Sequence, residues 1–94
     1  MYQVIKRDGR KVDFDLSRIA NAITKAFDAT EIPYNTDIIN LLALQVTADY
    51  AGKVKNNAIG VEDIQDSVEA VLQRAGYAAV AKSYILYRKN REKL

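Results

Sequence analysis

The sequence predicts an α+β fold: a four-helix bundle capped by a small two- to three-stranded β-sheet. Three observations lead there. An Asp8-Gly9 pair separates two short alternating runs near the N-terminus, the mark of a β-hairpin. Four later stretches repeat apolar residues at helical spacing, parted by Pro33, Gly52 and Gly76. And 49% of the 94 residues are apolar, enough for a modest core in one domain over residues 1–94 without disulfides or metal.

The hairpin strands are read as Tyr2 to Arg7 and Arg10 to Phe14. Val12 and Phe14 alternate with Lys11 and Asp13, so one face of the outgoing strand is expected to be half buried. A two-residue type I′ turn over Asp8-Gly9 needs positive φ at both positions; Gly9 takes it freely and Asp8 tolerates it. Asp15 suits the N-cap of a first helix, whose apolar stripe is Leu16, Ile19, Ala20, Ile23 and Phe27. Pro33 breaks the connection that follows. Thr36 is read as the cap of a second helix from Asp37 to Ala51, buried through Ile38, Leu41, Leu42, Val46 and Tyr50 and widened by Leu44 and Ala48. Ala58-Ile59 is expected to lie as a short third strand against the hairpin edge. A third helix runs from Val61 to Ala75, with Ile64, Val68, Val71, Leu72 and Ala75 inward and Glu62 and Asp63 matching its dipole. Gly76 is placed as its left-handed stop. A fourth helix runs from Tyr77 to Lys93, with Ala78, Ala81 and Ile85 on one stripe and Val80, Tyr84 and Tyr87 on the next.

Composition removes several kinds of chemistry. There is no cysteine and no histidine, so zinc ribbons, thiol chemistry and histidine bases are excluded. No apolar run is long enough to span a bilayer and the N-terminus has no secretory h-region, so the expectation is a cytoplasmic protein without membrane contact. No glycine-rich phosphate loop of the P-loop or dinucleotide type is present. Ser17, Ser67 and Ser83 lack the spacing of a Ser–Lys nucleophile. Asp13 and Asp15 stand beside basic groups that keep them ionised, which argues against a raised-pKa general acid. Catalysis by this chain alone is not expected.

The net charge is only +2, but its distribution is informative. Positive charge gathers at the two ends, Lys6 to Lys11 and Arg88 to Lys93. Negative charge occupies the middle. If the ends meet in the fold they make one compact positive site, while the acidic middle repels a long polyanion, so a small phosphate ligand is expected rather than nucleic acid. The hairpin cations run into a helix start, where free N–H groups add to the attraction for an anion. Arg18 in the first turn of that helix opposes the dipole, which a bound anion would explain; an exposed arginine with a small penalty is the alternative. Arg88 and Arg91 share a face of the last helix, although cations in a last turn are also ordinary helix chemistry.

The blocks V-I-K-R-D-G-R-K-V-x-F-D-x-x-R-I, I-x-V-E-D-I-Q-D-x-V-E and A-K-S-Y-I-L-Y-R-K-N-R, in that order, resemble the ATP-cone domain over about residues 2 to 93. That module resembles the N-terminal regulatory domain of ribonucleotide reductases, and the closing block most resembles the anaerobic, glycyl-radical class. The resemblance implies a four-helix bundle under a three-stranded sheet, with ATP or dATP bound between them as an allosteric ligand and Mg2+ on the phosphates. It implies phosphate contacts from Lys6, Arg7, Arg18, Arg88 and Arg91, and ribose or adenine contacts near Val12, Asp15, Leu16 and Ile19. Val61 falls where some members carry a hydroxyl residue against the base; only its backbone can serve, and Gln65 one turn on is a polar substitute. The implied partners are the catalytic part of a reductase and a nucleotide-dependent homo-oligomer. An alternative implied by the same family is a nucleotide-responsive transcriptional repressor of reductase genes, lacking here the zinc ribbon that precedes the cone.

Overall fold

The computed structural model describes residues 1–92. Strand β1 (Gln3–Ile5) is central in a mixed sheet of order β2-β1-β3. It pairs antiparallel with β2 (Lys11–Asp13) and parallel with β3 (Ala58–Gly60). Thus Ala58-Ile59 does cover a hairpin edge, closing off a row of otherwise unpaired backbone groups. Helices α1 (Leu16–Asp28), α2 (Thr36–Tyr50), α3 (Val61–Arg74) and α4 (Ala78–Glu92) form the bundle. Contacts join α1 to α2 and α4, and α3 to α2 and α4, so each helix has two helical neighbours.

The hairpin turn differs from the sequence expectation. Lys6 N–H donates to Arg10 C=O (2.7 Å) and Gly9 N–H donates to Lys6 C=O (2.9 Å). The loop is therefore Arg7-Asp8-Gly9, and only Gly9 has positive φ, at 88°. This is a type I turn closed by a left-handed glycine, not a type I′ turn. Asp8 selects it: one carboxylate oxygen accepts the Arg10 backbone N–H (3.0 Å) and the other accepts Arg10 Nε (2.7 Å). Turn geometry of the I′ kind occurs instead at Asn56-Asn57, with φ of 53° and 60°, inside reciprocal Lys55–Ala58 backbone bonds of 2.9 and 3.0 Å. That turn aims β3 along β1.

Asp15 caps α1 as expected, accepting Ser17 N–H at 3.0 Å. The cap of α2 is Asn35 rather than Thr36: Asn35 Oδ1 accepts Ile38 N–H at 2.8 Å. The helix accordingly starts at Thr36 and ends at Tyr50, before a short 3₁₀ turn, Ala51–Lys53. Its inward face is Ile39, Leu42, Ala43, Val46 and Tyr50. Leu41 and Leu44 are each 55% exposed and Ala48 is exposed, while Ile38 only packs at the core margin. A helix with apolar residues on more than one face offers more than one stripe, and packing against α1 and α3 decides which turns inward.

Helix α3 buries Ile64, Val68, Val71 and Leu72 as expected, with Gln65 and Ser67 beside them. Ala75 is exposed, because the helix ends at Arg74 and Gly76 (φ 89°) turns the chain. Tyr77 N–H reaches back to Leu72 C=O at 2.9 Å, the closing bond of a Schellman motif. On α4 the buried stripe is Val80, Ala81 and Tyr84; Ala78 is exposed and Ile85 half-buried. The expected end of this helix at Lys93 lies outside the described residues. One apolar cluster joins Val4 and Ile59 of the sheet to all four helices.

Candidate functional site

A cavity of about 490 Å³ lies between the inner sheet face and helices α1, α3 and α4. Its sheet wall is apolar, because Val4 and Val12 sit opposite each other in the β1–β2 register and share one face. Phe14, Ile19, Val61, Ile64 and Val68 continue that wall. Tyr84 and Tyr87 of α4 supply its aromatic side, with ring centroids 6.1 Å apart. Burial pushes the Tyr84 phenol well above the usual tyrosine range; it stays a neutral donor at any physiological pH.

Cations reach the cavity from elements remote in sequence: Lys6 beyond β1, Arg18 and Lys25 on α1, and Arg91 on α4. The chain ends do meet. Among the described residues none of these four has a carboxylate within ion-pair distance. Arg10 and Arg74 are tied elsewhere, to Asp8 and Asp49. The cations outnumber the two carboxylates on the lining, Asp13 and Asp15, and among the described residues form no ion pair with them; facing an apolar wall, they suit an anionic ligand that also carries an apolar surface.

Of the residues singled out in the sequence, Lys6, Val12, Asp15, Arg18, Ile19, Val61, Gln65 and Arg91 line this one cavity. Arg7 stands at the turn and donates from Nη2 to Gln65 Oε1 at 2.8 Å, so it joins the site through α3. Gln65 is only 9% exposed. Because a guanidinium can only donate, this bond fixes the amide with oxygen toward Arg7, leaving the two N–H donors of its nitrogen for another partner. Asp15 is held below its ordinary 3.8 chiefly by the Ser17 hydroxyl, at 2.7 Å, then by the Ser17 backbone N–H.

Two residues are placed elsewhere. Leu16 packs, partly buried, against the core rather than on the cavity wall. Arg88 is not on the wall either. Its Nη1 donates to Asp66 at 2.8 Å and Glu69 at 3.1 Å, both on α3. Its side chain is 13% exposed. Burial opposes the charge, yet the bonds to Asp66 and Glu69 outweigh it and raise the pKa. Arg88 and Arg91 part because they take different partners: Arg88 turns to the α3 carboxylates and Arg91 to the Tyr87 hydroxyl on the cavity side.

The sequence reading missed Lys25, Asn21 and the tyrosines as wall residues. A signal existed: Arg18, Asn21 and Lys25 are spaced by three and four, one stripe along α1. Among the described residues, no helix is long and apolar enough to cross a membrane.

The family model described as ATP cone domain matches residues 2–93. Ribonucleoside-diphosphate reductase subunit alpha of Chlamydia pneumoniae is 42% identical over 94 residues, covering 94% of this chain and 9% of that protein. Vitamin B12-dependent ribonucleoside-diphosphate reductase of Mycobacterium tuberculosis (strain CDC 1551 / Oshkosh) is 40% identical over 92 residues, covering 98% of this chain and 13% of its own length. Anaerobic ribonucleoside-triphosphate reductase of Escherichia coli (strain K12) is 36% identical over 89 residues, covering 95% and 12%. The chain thus spans only 9% to 13% of these three relatives.

Proposed function

Since this chain belongs to the ATP-cone family, we propose that it is a regulatory domain that binds ATP or dATP and reports on it to the catalytic part of a ribonucleotide reductase. The observation that carries this reading is the meeting of Lys6, Arg18 and Arg91 on one cavity with an apolar wall. Cations from separate elements converge on a triphosphate; the sheet face and Ile19 offer the apolar surface a nucleobase needs. Removing one cation that contacts phosphate costs about 1.5–3 kcal/mol of binding. Magnesium is taken to ride on the phosphates, as it does where few protein ligands are offered; among the described residues no group of three or more acidic side chains could hold it.

The chain performs no chemistry in this reading. ATP and dATP differ by one 2′-hydroxyl, so regulation requires that the two place the helices differently, and that the placement alter docking or self-association of the cytoplasmic enzyme. The domain spans residues 1–94. The relatives named above are reductases, and no feature of the fold favours the repressor alternative. Calorimetric titration of the chain with ATP and with dATP tests the proposal. Saturable binding of either supports it; no saturable binding of both removes it. Solution mass of the parent enzyme with each nucleotide tests the oligomer.

A further inference from the structure

We infer that the anion grip on the α4 side of the cavity is made by Lys25 and Arg91 around the Tyr87 ring, and that Arg88 is the positioning residue that anchors α4 for it. The inference rests on the nucleotide reading above and assigns the phosphate chain of the ligand to this end. Lys25 Nζ lies 5.9 Å from the Tyr87 ring centroid and Arg91 Cζ lies 5.8 Å from it. Arg91 Nη1 also donates to the Tyr87 hydroxyl at 3.1 Å. All three residues line the cavity. Among the described residues neither cation has a carboxylate partner. Cation–π contact at a surface is weak, and two like charges held near one ring repel each other. An anion between them removes that repulsion and is shared by donors from α1 and α4. Arg18 and Lys25 lie about 10 Å apart along α1, at 1.5 Å per residue, on nearly the same face. The cationic lining therefore extends from the helix start to the mouth beside α4.

Arg88 cannot serve the same grip from its place. Its Nη1 is held by Asp66 and Glu69 and its Nη2 reaches Glu62 C=O at 3.5 Å. These bonds pin α4 to α3 one residue away from Tyr87. The side chain thus sets where the ring and Arg91 stand without itself facing the cavity.

ATP binding by the full chain is measured by calorimetry for the unaltered protein, Lys25→Gln, Lys25→Arg and Asp66→Asn with Glu69→Gln, with folding checked by circular dichroism. Lys25 is exposed, so its variants are expected to fold. Lys25→Gln should weaken ATP about ten- to a hundredfold, and inorganic tripolyphosphate by a similar factor. It should also flatten the salt dependence, and Lys25→Arg should restore most of the affinity. The Asp66/Glu69 pair of substitutions, measured at high salt to suppress the change in net charge, should weaken ATP. If ATP binds the unaltered chain and Lys25→Gln equally well, the grip is wrong while the nucleotide reading stands. If releasing Arg88 tightens binding at high salt, Arg88 is a ligand contact and not an anchor. No binding by the unaltered chain removes both readings.

Discussion

Replacing Gln65 separates the two things its amide is placed to do. Its oxygen accepts the Arg7 guanidinium at 2.8 Å, and the residue is buried on the cavity wall. Gln65→Leu keeps the volume and removes both polar ends. A hydrogen bond to a charged group is worth about 1.5–3 kcal/mol, but Arg7 is exposed and water can replace the lost acceptor, so the net loss falls to about 1 kcal/mol. Burying leucine in place of an amide offsets a comparable amount. The melting temperature should therefore move by no more than about 8 °C, since 1 kcal/mol shifts a domain of this size by about 4–8 °C. Nucleotide affinity has no such offset. It loses the fixed direction of Arg7 and an available donor pair, so a fall of about tenfold or more is expected, about 1.4 kcal/mol. Gln65→Glu is the sharper variant. A carboxylate binds Arg7 more tightly, yet sets a negative charge on the wall that faces the ligand, so affinity should fall further although stability holds. Titration of both variants with ATP, beside thermal melts, reads the two effects apart. Tighter ATP binding by Gln65→Glu, or an unchanged affinity in Gln65→Leu, would refute the reasoning.

Two further outcomes concern stability. Asp8, Asp15 and Asp49 all titrate below their ordinary 3.8: Asp8 by bonds from Arg10, Asp15 by bonds from Ser17, and Asp49 by the neighbouring Ser67 hydroxyl and then by its bond from Arg74. The unfolded chain binds these protons more readily, so the stabilisation is complete above that value and is lost as pH falls through the lower folded values. Melting temperature should be flat near neutrality and drop below about pH 4; Asp15→Asn, which keeps a capping oxygen but no titration, should shallow that drop, and an unaltered acid limb would count against the assignment. Gly76→Ala should cost about 1–2 kcal/mol, read by urea unfolding. A Cβ there meets nothing within 4 Å, so the whole cost is the left-handed backbone, and a neutral result would mean that the turn relaxes.

Much of the fold was legible because it rests on local rules. Asp15 caps, Gly76 stops and the Ile19–Ile23–Phe27 stripe turns inward from spacing and residue type alone. The hairpin was legible as a hairpin but not in its turn type, since the Asp8 bonds to Arg10 depend on side-chain geometry that a dipeptide rule does not contain. On α2 the excess of apolar residues left the inward face underdetermined; Leu41 and Leu44 are exposed in favour of Ile39 and Ala43.

The sequence by itself determined that this chain makes four helices and a small sheet, and that its basic ends are its distinctive chemistry. Helical period, caps and breakers act over a few residues, so a chain of letters carries most of them, although the α2 cap falls one residue earlier than expected, at Asn35. Which cations share a cavity is a different kind of question. Arg91 and Arg88 are three residues apart, yet one lines the cavity and the other binds α3 carboxylates. Lys25 joins Arg91 although 66 positions separate them. The rotation of α4 against α1 and α3 decides both, because packing of whole helix faces sets the direction of every side chain they carry.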